Sequence, residues 1–121
     1  MKKAILVVSF GTTHKDTLEL TIERIEERIK ETFSEYEMRR AFTAHMIIKV
    51  LKQRDGIITD TPEEALEKLK EEGFEEVVVQ PLHIIPGAEF DYIKLVVDKY
   101  KEEGAFKKIT LGRPALYFQA G

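Results

Sequence analysis

Two histidines of the sequence follow segments that have the pattern of β-strands. His83 comes directly after the apolar run Val77–Leu82, and His45 comes shortly after the alternating run Tyr36–Phe42. Neutral imidazole is a common protein ligand for borderline transition metals, and it titrates near neutral pH. Glu89, at the start of a later helix, could complete a metal site or orient an imidazole ring. These residue types therefore point to metal binding or proton transfer by His83, His45 and Glu89.

The same residues also allow ordinary structural interpretations. His83 follows an apolar strand and precedes Ile84, Ile85 and Pro86, so it is either a hydrogen-bonded core residue or a ligand. His45 fits the first turn of a helix equally well, and His14 is most simply a polar loop residue. The ligand interpretation depends on whether the strand ends meet at one edge of a sheet.

The loop after the first strand offers a possible anion site. Its sequence is Ser9-Phe10-Gly11-Thr12-Thr13-His14, which supplies hydroxyls, a flexible glycine and backbone N–H groups near a helix start. Such groups can receive a carboxylate or a phosphate. The loop is neither a dinucleotide fingerprint nor a P-loop, because the required glycines are missing. A tight strand-to-helix turn explains it equally well.

Strand and helix patterns alternate along the chain. Ala4–Phe10 and Val77–Leu82 are predicted as buried strands, and Tyr36–Phe42 and Lys108–Leu111 as edge strands. Helices are predicted from about Asp16 to Phe33, after Thr43, which could cap a short helix, after the Thr61-Pro62-Glu63-Glu64 capping box, and from about Glu89 to Tyr100. The inward positions predicted for the first two helices are Leu18, Ile22, Ile25, Ile29, Phe33, Met46, Ile47, Val50 and Leu51.

This alternation predicts a three-layer α/β/α fold of flavodoxin-like topology. Right-handed crossovers would give a four-stranded parallel sheet with the strand order 2-1-3-4. Ligands of such sheets bind at the carboxyl ends of the strands. His83 and His45 would both lie there.

The length and the amino-acid composition favour a single globular domain over residues 1–121. The chain has 43% hydrophobic and 34% charged residues, and its net charge is −3. That charge gives no reason to expect a nucleic-acid partner, and the apolar runs are too short to cross a bilayer. The sequence has no cysteine, which suits a cytoplasmic location.

Several separated motifs resemble one known family. They are Val7-Val8-Ser9-Phe10-Gly11-Thr12, Arg40-Ala41-Phe42-Thr43, Met46-Ile47-Ile48, Leu51-Lys52-Gln53-Arg54-Asp55-Gly56, Thr61-Pro62, Leu82-His83-Ile84-Ile85-Pro86-Gly87 and Leu111-Gly112-Arg113-Pro114. In this order they resemble the N-terminal half of the anaerobic-type sirohydrochlorin cobaltochelatases, the CbiK family, which is similar to the class II chelatases.

The resemblance implies a fold and an activity. The family has two related α/β halves around a tetrapyrrole cleft, so this sequence looks like one chelatase-like half. The implied activity is insertion of Co2+ into sirohydrochlorin in anaerobic cobalamin biosynthesis, without a nucleotide cofactor. Ni2+ or Fe2+ would also suit histidine and carboxylate ligands. The implied partner is a second chelatase half, either a C-terminal domain or a homodimer mate.

The resemblance also assigns roles within this sequence. The principal metal-binding and proton-accepting histidines of the two-domain enzymes lie in the C-terminal half. By the pseudo-symmetry of the halves, His83 falls where that half carries one of them and is implied as the catalytic residue and metal ligand, while His45 falls where it carries a ligand glutamate. Phe10 falls where the other half carries a histidine. For the tetrapyrrole, the implied contacts are the apolar Phe10, Ile84 and Ile85, and the loop and polar residues Gly11, Thr12, Thr13 and Arg113. The alternative is a non-catalytic half-domain that binds tetrapyrrole or metal and needs a partner domain.

Overall fold

The protein is described here by a computed structural model that covers residues 2–14, 16, 22–82 and 87–112. Within these residues, the strands are β1 (Lys3–Ser9), β2 (Tyr36–Phe42), β3 (Glu76–Pro81) and β4 (Lys108–Leu111). The helices are α1 (Glu23–Thr32), α2 (His45–Asp55), α3 (Pro62–Glu71) and α4 (Ala88–Glu102). None of these helices is long and apolar enough to cross a membrane.

The strands form one parallel sheet in the predicted order β2-β1-β3-β4. The register places Ser9 of β1 opposite Phe42 of β2, and Val8 of β1 opposite Pro81 of β3. Because the strands are parallel and aligned, their carboxyl ends meet at one edge. This edge is called the rim, and its described residues are Phe10–His14, Thr43–His45, Leu82, Gly87–Glu89 and Gly112.

Helices cover both faces of the sheet, as predicted. Leu6 and Val79 belong to a buried cluster that includes α3 and α4, whereas Ile5 and Val7 pack on the other face with Ile29 of α1. The strand β1 contributes to both clusters because successive side chains of a strand point to opposite faces. Continuous burial on both sides explains its unbroken apolar sequence.

A partly buried ion pair joins α1 to the edge strand β2. Glu26 of α1 is 3% exposed and accepts a hydrogen bond from Nε of Arg40 at 2.8 Å. This hydrogen-bonded carboxylate raises the pKa of Arg40 above its usual value, although burial opposes the shift. The pairing satisfies a charge that would otherwise be costly to bury. It therefore fixes α1 beside the strand whose end carries Thr43.

Two of the predicted inward side chains are exposed, so those predictions are wrong. Phe33 is 43% exposed because it follows the last residue of α1, where it contacts Tyr36 edge-on. Met46 is 73% exposed, whereas Leu51 of the same helix is buried. Five residues turn a helix by about 140° beyond a full turn, so Met46 and Leu51 point in different directions. Part of the predicted Asp16–Phe33 helix, including Leu18, lies outside the described residues.

Candidate functional site

The loops that follow β1 and β2 are held together by backbone hydrogen bonds. The N–H of Thr43 donates to the carbonyl of Ser9 at 2.9 Å, and the N–H of Ala44 donates to the carbonyl of Phe10 at 3.1 Å. Gly11 then has φ = +109°, and a Cβ at this position would lie 2.8 Å from the ring of Phe42. Only glycine adopts this conformation readily. The chain thereby turns closely over Phe42 and leaves Phe10 47% exposed at the rim.

A shallow open depression of about 420 Å³ lies at the rim. It brings together residues from the ends of β1 and β2 and from the start of α4. This rim depression is lined by Phe10, Thr43, His45, Ala88, Glu89 and Tyr92. The structure therefore places three predicted site residues, namely Phe10, His45 and Glu89, around one space.

Thr43 and Glu89 are joined directly across the rim depression. The hydroxyl of Thr43 donates to Oε1 of Glu89 at 2.6 Å, and both side chains are half-buried. Thr43 was predicted to cap the following helix, and that prediction is wrong. Ala44 is the N-cap of α2, which has no side-chain cap. The hydroxyl instead reaches a carboxylate 46 residues further along the chain.

Tyr92 is a residue of the rim depression that the sequence argument missed. Its hydroxyl lies 3.4 Å from Oε1 of Glu63. Burial raises the pKa of Tyr92 above its usual value of 10.0, and the nearby Glu63 carboxylate raises it further. The phenol is therefore a neutral donor at neutral pH. Its position three residues after Glu89 puts both on one helix face, and this spacing could have indicated it.

Thr12 and Thr13 line a separate space. This loop pocket, of about 240 Å³, lies between the loop after β1 and the end of α2, and His14, Leu51, Arg54, Asp55 and Ile57 also line it. Nη2 of Arg54 donates to the carbonyl of Thr13 at 2.6 Å and to Oδ2 of Asp55 at 2.7 Å. Thr12 Oγ1 accepts from the N–H of His14 at 3.1 Å. Arg54 thus ties the end of α2 to the loop, a role that the Leu51–Gly56 motif alone did not reveal.

Four of the predicted site residues lie outside the described residues. They are His83, Ile84, Ile85 and Arg113. The residue before His83 is described: Leu82 is buried, and its N–H donates to the carbonyl of Val8 at 2.7 Å. The chain therefore reaches the rim at Leu82.

Two side chains of types that bind metals line the rim depression. His45 and Glu89 share the rim depression, and the His45 ring makes no hydrogen bond to the described part of the chain. Across residues 2–14, 16, 22–82 and 87–112, no group of three or more histidine, aspartate or glutamate side chains is placed to hold a metal ion.

The fold and the rim define a parallel α/β domain with an open depression at the carboxyl ends of its strands. The chain belongs to the cobalt chelatase (CbiK) family, whose sequence model matches residues 3–121. It is 46% identical over 116 residues to the sirohydrochlorin cobaltochelatase of Salmonella typhimurium, an alignment that covers 96% of this chain. It is 34% identical over 119 residues to the sirohydrochlorin cobaltochelatase CbiKC of Nitratidesulfovibrio vulgaris, covering 95% of this chain.

The chain spans less than half the length of both relatives. The alignments cover 43% of the Salmonella protein and 40% of the Nitratidesulfovibrio protein. Both relatives therefore contain a large region with no counterpart in these 121 residues.

Proposed function

We propose that this chain is a chelatase domain that takes part in inserting Co2+ into sirohydrochlorin for anaerobic cobalamin biosynthesis. The observation that carries the proposal is the 46% identity, over 96% of the chain, to a sirohydrochlorin cobaltochelatase. The rim depression supports it, because His45 and Glu89 line an open space at the strand ends. Residues 1–121 act in this proposal as one chelatase-like half.

The proposed chemistry needs a ligand for the metal and an acceptor for protons. Insertion removes water from the ion and two N–H protons from the macrocycle. A neutral histidine can perform either task, so His83 is proposed as the catalytic residue, with His45 and Glu89 as further contacts for the ion. Cobalt is the proposed substrate metal, nickel and iron fit the same ligand types, and no nucleotide is required.

The proposed tetrapyrrole contacts divide into apolar and polar groups. Phe10, 47% exposed at the rim, offers a face for the flat macrocycle, and Ile84 and Ile85 are proposed to do the same. The hydroxyls of Thr12 and Thr13 line the loop pocket and can donate to carboxylates of the substrate. Gly11 keeps the loop close to Phe42, and Arg113 is proposed as a charged donor.

The test is metal insertion by the purified chain. Sirohydrochlorin and Co2+ are mixed with the protein, and the change in product absorbance is followed. His83→Ala is expected to lower the rate by roughly tenfold or more, because a general base or metal ligand is removed. Lys70→Ala removes an exposed charge in the last turn of α3 and touches neither the rim depression nor the loop pocket, so it should leave the rate within about twofold.

Two results would contradict the proposal. If the chain neither binds sirohydrochlorin nor accelerates insertion, this chain has no enzymatic function by itself. If His83→Ala and Lys70→Ala reduce the rate equally, His83 is not the catalytic residue.

A non-catalytic half-domain is the second candidate function. Its support is that the alignments cover only 43% and 40% of the two relatives. Such a domain would bind tetrapyrrole or metal and would need a second chelatase half for insertion. Mass measurement in solution discriminates between the two: a stable dimer permits a shared cleft, whereas a monomer that binds without inserting favours the half-domain.

A further inference from the structure

The Thr43–Glu89 hydrogen bond links the two sides of the rim depression. Thr43 follows β2, and Glu89 lies in the first turn of α4, the helix after β3. In the sheet, β1 lies between β2 and β3. The backbone of Thr43 is fixed by its N–H bond to Ser9 at 2.9 Å. The hydroxyl therefore holds Glu89 from a rigid support, and the bond length of 2.6 Å is typical of a hydroxyl donating to a carboxylate.

Among the described residues, the two oxygens of Glu89 have different surroundings. Oε1 accepts from Thr43, while Oε2 accepts no hydrogen bond from the described residues. We propose that Thr43 is a positioning residue that holds Glu89 so that Oε2 is presented to the substrate metal in the rim depression. The inference rests on the proposed function, in which Glu89 contacts the ion, and it adds the residue that orients this contact.

The hydrogen bond from Thr43 favours contact between Glu89 and the metal ion through one carboxylate oxygen. Bidentate binding would require Oε1 to face the ion as well, in competition with the Thr43 hydroxyl. A carboxylate fixed by a hydrogen bond is also a better ligand than a mobile one, because less rotational freedom is lost on binding. A single oxygen contact suits a metal that must afterwards be released to the macrocycle.

The experiment measures Co2+ binding by the chain itself, without tetrapyrrole. Affinity is obtained by competition with a chromogenic chelator, and the visible absorption of bound Co2+ reports on its coordination. Thr43→Val keeps the shape of the side chain and removes the donor, and it should weaken binding by about tenfold. Thr43→Ser restores the hydroxyl and should bind within about twofold of the parent chain. Glu89→Gln should weaken binding at least as much as Thr43→Val.

The Co2+ affinities of the variants show whether Thr43 positions Glu89 and whether Glu89 binds the ion. If Thr43→Val binds Co2+ like the parent chain while Glu89→Gln does not, positioning by Thr43 is wrong and the proposed contact of Glu89 stands. If Thr43→Val and Thr43→Ser lose affinity equally, the threonine acts through packing of its methyl group and the inference is also wrong. If Glu89→Gln binds like the parent, Glu89 is not a ligand and the inference fails with that assignment. Circular dichroism of each variant verifies that the fold is intact.

A parent chain that shows no Co2+ binding would overturn both the inference and the proposed metal contacts. Insertion assays with sirohydrochlorin would then test the proposed function separately. If the chain inserts Co2+ but shows no measurable Co2+ binding without tetrapyrrole, the proposed function stands and only the metal contacts and the inference are wrong.

Discussion

Gly11 sets the approach of the loop after β1 to the ring of Phe42. Its φ of +109° lies in a region that other residues rarely adopt, and a Cβ would stand 2.8 Å from Phe42 Cδ2. Phe42 is completely buried, so its ring has no free space into which it could move. Both the backbone conformation and the contact thus require glycine.

Gly11→Ala is therefore expected to destabilise the fold by about 2–4 kcal/mol, as the sum of backbone strain and steric overlap. Gly56→Ala is the matched control, since Gly56 also has positive φ (+66°) but no atom within 4 Å of the added Cβ. This control should lose only about 1 kcal/mol. Urea denaturation measures both free energies of unfolding. Equal losses would contradict the prediction, because the contact with Phe42 would then add nothing to the cost of Gly11→Ala.

At the scale of elements, the sequence specifies the start of α3 through both a capping box and a proline. The hydroxyl of Thr61 accepts from the N–H of Glu64 at 3.2 Å, and the Glu64 carboxylate accepts from the N–H of Thr61 at 2.9 Å. The backbone N–H of Thr61 lowers the pKa of Glu64 below its usual value of 4.5. Pro62 follows at a position where no N–H is needed.

The stability of this helix start should depend on pH. Because the Glu64 pKa is lowered by folding, its contribution is present above about pH 4.5 and is lost as the pH falls through the folded-state value. Glu64→Gln should therefore lose less stability than the parent chain between about pH 6 and pH 3. Urea midpoints at both pH values measure this, with Glu71→Gln at the exposed end of α3 as control. Equal acid sensitivity in the parent and Glu64→Gln would contradict the prediction.

At the scale of the whole molecule, the buried clusters are joined through the strands. Cluster residues alternate along β1 between the face packed by α3 and α4 and the face packed by α1. Phe42 at the end of β2 belongs to a third cluster with Ile22 and Leu51. Loss of β1 would thus disrupt both faces of the sheet at once.

The described residues should unfold in a single cooperative transition. Far-UV circular dichroism and tyrosine fluorescence are expected to give coincident urea curves, because Tyr36 and Tyr100 pack on opposite faces of one sheet. A tyrosine transition separated from the circular dichroism transition would instead mean that one face unfolds independently.

Much of the fold could be predicted from the sequence because its signals are local. The apolar run of β1, the capping box at Thr61 and the alternation of strands with helices follow from short-range patterns, and they led to the observed order β2-β1-β3-β4. The positions of His45 and Glu89 at the rim follow from the same topology. Family membership was also indicated by motifs that stand in order along the chain.

Only the tertiary structure decided which side chains meet. Thr43 forms its bond with Glu89, 46 residues away, and Thr12 and Thr13 face Arg54 across the loop pocket. The exposure of Met46 likewise depends on which side of α2 packs against the sheet edge. Periodicity defines the faces of a helix or strand, but the contacts across a rim depend on how neighbouring elements are set against each other.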